Sequence, residues 1–250
     1  MGAPPAARPT HNRQSARGRA VRRSKKTDLI DATYMLLANG SPKDVSIRII
    51  AATAGCTTGA VYRHFESVEH LILVASVRFL EDYMADLNDI LQNDDDPLGQ
   101  HIEMWRSFGR QAFAHVDVFE MMFWGVSEDQ LGDAIFAYYQ EFPDSFRKLS
   151  GFQVMLFLSS SLRERNLLTL NRCMTELAIS EETAAMLNDV EICSFRGLMS
   201  AYRDCYRESG KADEALSRYM EMLAFMLDAV KLGRVKSKAD ELLIAAHENG

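Results

Sequence analysis

From Thr27 onward, apolar residues recur every three or four positions, and no segment sustains the apolar–polar alternation of a half-buried strand. That spacing leaves an all-α fold as the only class the chain fits. Four helical segments come first, over 28–38, 46–53, 57–64 and 67–91. Leu29, Ile30, Thr33, Leu36 and Leu37 stripe the first, and Asn39-Gly40 is expected to end it with left-handed residues. Ser46 and Thr57 stand where N-caps are wanted, and Gly55 breaks the chain between the second and third segments. After the Asn-Asp-Asp-Asp-Pro loop at 93–97, the pattern resumes over 98–115, 117–124, 128–141, 145–177, 181–208, 213–232 and 236–247.

Charge divides the chain more sharply than its formal total of −7 suggests. Residues 1–26 hold eight basic residues, Arg8, Arg13, Arg17, Arg19, Arg22, Arg23, Lys25 and Lys26, and no acidic one. The other 224 residues hold 20 basic against 35 acidic. Residues 1–24 are rich in Ala, Pro, Arg and Ser, have no apolar stripe, and are expected to be disordered in the free protein. A cationic arm on an acidic body suits contact with a polyanion. The domain division that follows is 1–24 as a basic arm, 25–82 as a small helical domain and 83–250 as a larger one.

The small domain carries the most specific pattern. Two short helices that meet at a sharp angle need a glycine at their turn and small residues between them. Gly55 stands at that turn, and Ala51, Ala54 and Ala60 are the small residues. The run Ser46-Ile47-Arg48-Ile49-Ile50-Ala51, followed by Ala54-Gly55-Cys56-Thr57-Thr58-Gly59-Ala60-Val61-Tyr62-Arg63-His64-Phe65, resembles the helix-turn-helix of the tetracycline-repressor (TetR) family. Ser67-Val68-Glu69-His70-Leu71 resembles the start of that family's fourth helix. The likeness covers 27–75, under a quarter of the chain. It departs at Val68, where the family usually has a lysine near a phosphate, and at Cys56, where a valine is common.

The resemblance implies a transcriptional regulator that binds a double-stranded operator as a homodimer. It places Thr57, Thr58, Gly59 and Ala60 at the start of a recognition helix, toward base edges in the major groove. It gives Tyr62, His64 and Ser46 to phosphates, Arg48 to a guanine or a phosphate, and counts Arg63 among the DNA-binding residues. Phe65 reads as a core aromatic. Residues 27–75 offer only Lys43, Arg48 and Arg63 as cations against five carboxylates. Phosphate neutralisation must therefore come from the arm, with Arg19, Arg22 and Arg23 directed to the minor groove and Lys25 and Lys26 beside them.

In the larger domain, Met and Phe concentrate between Met104 and Phe157. A filled core explains this, and so does an apolar effector pocket with adaptable Met walls. Effector binding is what the resemblance implies, and His101, Trp105, Phe108, Met122, Trp124 and Phe157 are the candidate lining. Arg106, Gln111 and His115 join His101 as polar handles. The segment 213–232 is apolar nearly all round and must bury two faces. With 181–208 it resembles the family's dimerisation pair, which points to Phe195, Met199, Tyr219, Met222, Leu223 and Met226. The mechanism implied is a repressor released from a pseudo-palindromic operator when a small, apolar effector binds.

Other classes fit less well. G-x-S-x-G, P-loop, G-x-G-x-x-G and H-E-x-x-H motifs are absent, as is the paired Glu-x-x-His of a di-iron bundle, so no enzyme is expected. The six histidines and four cysteines show no metal-ligand spacing, so neither a metal nor a cofactor is expected. The cysteines read as reduced, mostly buried thiols. No apolar run approaches the roughly 18 residues that span a bilayer. The basic N-terminus has no apolar stretch after it, unlike a secretory signal, so a cytoplasmic site with no membrane partner is expected. The rival reading is a helical adaptor that uses its basic arm for protein or membrane contact.

Overall fold

A computed structural model describes residues 25–93, 96–147, 149–159 and 161–231, and among them every regular element is a helix. The small unit comprises α1 (Lys25–Asn39), α2 (Ile47–Thr53), α3 (Thr58–Tyr62) and α4 (Val68–Ser76). A 3-10 turn (Val77–Leu80) then leads into α5 (Glu81–Asn93). The larger unit continues with α6 (Pro97–Ala114), α7 (Val116–Trp124), α8 (Glu128–Glu141), α9 (Pro143–Phe146) and α10 (Gly151–Leu158). It closes with α11 (Leu162–Leu177), α12 (Glu181–Tyr202) and α13 (Lys211–Lys231). The segment 236–247 lies outside the described residues.

Three features differ from the sequence pattern for local reasons, and α12 stops at Tyr202, short of the 208 expected. The helix expected over 67–91 is interrupted at 77–80. Ser76 Oγ donates back to Ile72 O at 2.8 Å, a bond that bends helices. Arg78 is drawn sideways to Asp31 (2.6 Å) and lies over the Tyr34 ring. The helix expected over 145–177 is three helices, because Ser150 and Ser161 turn their hydroxyls onto downstream amides and restart it as N-caps. At the end of α1, neither Asn39 nor Gly40 is left-handed; Asn39 Nδ2 instead donates to Met35 O at 2.8 Å. A left-handed cap does occur at Ala178, after α11.

α6 is the axis of the larger unit, packed against α5, α11 and α13. Gly109 faces α13: a Cβ there would stand 2.9 Å from Leu216 Cδ1, the tip of a side chain that would have to shift. Ala215, Tyr219, Leu223 and Leu227 then form the buried stripe of α13. Trp105 packs edge-on to Phe108 and tilted against Phe195 and Tyr219 in the resulting core. The small unit packs α1 on α4, and α4 also packs on α7 and α8.

Candidate functional site

Local chemistry shapes the helix-turn-helix. α2 ends at Ala54, and Gly55 adopts φ +62°, a conformation that a side chain would strain. Cys56 N donates back to Ala51 O at 2.9 Å, which tightens the turn. Thr57 has extended dihedrals, and its Oγ1 accepts from Ala60 N at 3.3 Å to cap α3. Ile50, Ala51, Val61 and Phe65 are buried beneath. The opposite side is open: Arg48, Thr57, Thr58, Gly59, Tyr62, Arg63 and His64 are exposed, and Ala60 half-buried. A Cβ on Gly59 would meet nothing closer than Thr57 Oγ1 at 4.0 Å. Ser46 holds the N-cap position of α2, but its exposed hydroxyl makes no capping bond and points to no partner of its own helix.

The cations around this face differ from the sequence reading in one place. Lys25 is exposed. Lys26 is half-buried, its ammonium 3.5 Å from Glu141 and over the Phe65 ring. Position 26 faces back toward the body rather than out along the arm. Arg19, Arg22 and Arg23 lie outside the described residues. Of the five carboxylates in the motif, Asp31 is neutralised by Arg78.

The larger unit has a cavity of about 40 Å3, open on one side, between α5, α6, α10 and α11. Eight apolar or aromatic side chains wall it, among them Tyr83, Met84, Met104, Trp105 and Phe108. α11 supplies the polar side through Arg165, Asn166 and Thr169. Of the candidate lining, Trp105 and Phe108 are therefore in place. His101 stands one layer behind: its Nδ1 lies 2.8 Å from Thr169 Oγ1 and its Nε2 lies 3.2 Å from Glu191 Oε1. Met122 is buried in core packing away from the cavity. Trp124 lines an outer groove between α4, α7 and α12, under Arg196. The Phe157 side chain lies outside the described residues. Arg106 is exposed and paired with Glu103. His115 is held below the ordinary histidine range by burial and by the nearby Arg207.

Behind the cavity, Glu191 is fully buried and satisfied. Its Oε2 accepts from Trp105 Nε1 at 3.2 Å and from Asn166 Nδ2 at 2.7 Å, while Oε1 faces His101. Asn166 also donates to Asn188 Oδ1, and Asn188 donates to Arg163 O. This network ties α6, α11 and α12 into one body. Polar residues at i, i+3 on the same stripe as Leu170 and Cys173 signal it in the sequence, a feature an apolar search passes over.

The expected partner-facing residues need correction. Phe195, Met199, Tyr219 and Leu223 have no exposed surface and pack inside the chain, while Met222 and Met226 are half-buried. The outward faces of α12 and α13 instead carry Met186, Val190 and Phe225, the last 75% exposed. The four cysteines are free; only Cys173 is buried, and Cys193 is exposed on α12.

Residues 29–75 match the family described as bacterial regulatory proteins, tetR family. No curated protein matches the chain. Among solved structures, one described as the molecular basis for control of antibiotic production by bacterial hormones is 19% identical over 80% of this chain and 96% of that one, with a TM-score of 0.51. The complex of RolR with its ligand resorcinol is 17% identical over 82% and 92%, with a TM-score of 0.49. The first of these likenesses extends the shared fold beyond the matched domain to most of the chain.

Proposed function

Residues 29–75 match the tetR family of bacterial regulatory proteins, and from that premise we propose that the chain is a repressor of that family, which grips a pseudo-palindromic operator as a homodimer and lets go when a small effector enters its cavity. Regulators of this kind bind DNA and are not enzymes. The observation that carries the reading is the outward face of α3, which leaves Thr58, Tyr62, Arg63 and His64 free of any structural duty while Val61 and Phe65 anchor it. Thr57, Thr58 and Ala60 read base edges with two hydroxyls and a methyl. Ser46, Tyr62, Arg63 and His64 hold phosphates, and Arg48 takes a guanine or a phosphate.

Dimerisation supplies the second recognition helix. The exposed Met186, Val190 and Phe225 on α12 and α13 support an interface there, with Met222 and Met226 at its edge. Release has a physical route. Leu80, Tyr83 and Met84 wall the cavity, and they lie at or just after the 3-10 joint at 77–80. Arg78 in that joint is ion-paired to α1 of the small unit, and Glu81 just beyond it accepts from Tyr138 of α8 at 2.7 Å. An effector that widens the cavity displaces this joint and with it the spacing of the two α3 helices. It acts only to the extent that it binds the released form more tightly than the DNA-bound form.

The test uses genomic fragments retained by the full chain. The expected product is a duplex with two-fold symmetry, bound by two chains. Deleting residues 1–24 is expected to weaken binding by about tenfold and to lower the slope of log affinity against log salt by about 0.9 for each phosphate that the arm no longer neutralises. Retention of fragments with no symmetric site, or an unchanged salt slope after deletion, overturns the operator reading and the arm's role respectively.

A further inference from the structure

The cavity has one uncommitted cationic donor set, and its chemistry selects a ligand. Apart from the Tyr83 phenol and Arg165, every polar hydrogen on its wall is already donated. Both amide hydrogens of Asn166 go to Asn188 and Glu191, the Thr169 hydroxyl donates to Asn166 O at 2.8 Å, and Trp105 Nε1 donates to Glu191. Arg165 is different. Its Nε donates to Ser159 O at 3.3 Å and its guanidinium lies over the Phe123 ring, but among the described residues no carboxylate is within ion-pair distance of it. Burial pushes its proton affinity down to about 10, with only weak opposing help from Tyr83, Glu164 and Tyr139. The guanidinium nonetheless stays charged at any pH where the protein folds. A half-buried cation at the edge of an apolar space, its terminal nitrogens unclaimed among the described residues, suits an anionic ligand. Tyr83 adds a phenol on the same wall, raised by burial and therefore always a donor.

Resting on the effector reading above, we propose that the cavity accepts a small aromatic carboxylate, its ring between Tyr83, Trp105 and Phe108 and its carboxylate on the Arg165 guanidinium. The aromatic walls favour a flat apolar body. Two parallel N–H groups of arginine match the two oxygens of a carboxylate, which neither an alcohol nor an amide reproduces. The space of about 40 Å3 holds about three waters and no ring, so the ligand must push the walls apart. Met84 and Met104 are the walls that yield, being unbranched and flexible. Met84 lies on the first turn of α5, beside the joint that leads to α4. Entry of the acid thus requires the same displacement that release of DNA requires.

The experiment measures binding of benzoate, salicylate and phenylacetate, each against its neutral amide, to the full-length protein. The readout is Trp105 fluorescence in a Trp124→Phe background, which leaves Trp105 as the only indole. Each acid is expected to bind at least tenfold more tightly than its amide. Arg165→Met is expected to erase that preference while amide binding persists, and Arg165→Lys to keep part of it by retaining charge without the fork. Equal binding of acids and amides, or a preference that survives Arg165→Met, overturns the anion assignment and leaves the cavity as an effector site. No response of Trp105 to any of the six compounds at millimolar concentration overturns the effector cavity itself, and the anion assignment with it. Melting temperature of each Arg165 variant, measured without ligand, separates loss of the anion site from loss of the fold.

Discussion

The two units of this chain use polar side chains in opposite ways. In the small unit, the polar residues that matter face water: Arg48, Thr58, Tyr62, Arg63 and His64 are exposed, and none supports the packing of α2 or α3. In the larger unit, the polar residues that matter are buried and bonded to one another: His101, Asn166, Thr169, Asn188 and Glu191 are at most 6% exposed. The first arrangement leaves donors free for a partner that brings its own acceptors. The second has none to spare, except at the cavity wall around Arg165. Substitution should therefore separate binding from folding in the small unit and confound them in the larger one.

Glu191→Ala is the harshest test of that contrast. Its carboxylate, itself fully buried, accepts from Trp105 and Asn166 and faces His101. Removing it leaves two or three buried groups unpaired, at an expected loss of about 3–5 kcal/mol. Urea unfolding would register this as a lower midpoint at unchanged slope. Glu191→Gln, which keeps one acceptor, should lose less. A loss under about 1 kcal/mol for the alanine variant would mean that the network is incidental to the fold.

Phe225 and Phe195 sharpen the comparison within the larger unit. Both are phenylalanines on the paired helices α12 and α13, yet one is 75% exposed and the other has no exposure. Phe225→Arg is expected to leave a folded chain that dissociates, with a dimer dissociation constant raised about thirtyfold or more, as for truncation of an interface anchor at about 2 kcal/mol. Sedimentation measures this directly. Phe195→Arg should instead fail to fold. Were Phe225→Arg to remain a dimer at micromolar concentration, the outward faces of α12 and α13 would not be the interface.

These differences also explain what the sequence could and could not disclose. The helix-turn-helix was legible because each of its parts acts on near neighbours: Gly55 on its own φ, Thr57 on an amide three residues on, Cys56 on Ala51. α13 was legible as a helix with two buried faces, but not as to which face is which. It is apolar nearly all round, and the choice is made by the helices that pack on it, α6 and α12, α6 lying about a hundred residues earlier. Arg165 was hidden for a related reason. Read as one helix over 145–177, it is one more cation on a long amphipathic surface. Only the restart at Ser161 turns it, with Asn166 and Thr169, onto a cavity whose other walls come from α5, α6 and α10. Lys26 is the converse case, a cation that composition assigned to the arm and Glu141 draws into the body.

Tyr62→Phe carries the smallest expected effect and the cleanest logic. The Tyr62 ring is 58% exposed, and its hydroxyl has no partner among the described residues, so the change removes an oxygen and nothing from the packing. Stability should hold within about 0.5 kcal/mol, as for other surface substitutions. Binding to DNA should weaken by about 1 kcal/mol, roughly fivefold, the scale of one hydrogen bond to phosphate. Because phosphates carry no sequence information, the loss should be the same on the operator and on unrelated duplexes, measured by titration at fixed salt. Thr58→Ala is the control for base reading and should weaken the operator alone. A Tyr62→Phe protein that loses operator affinity but keeps its hold on unrelated DNA would move Tyr62 from the backbone to a base edge, and the register of α3 in the groove with it.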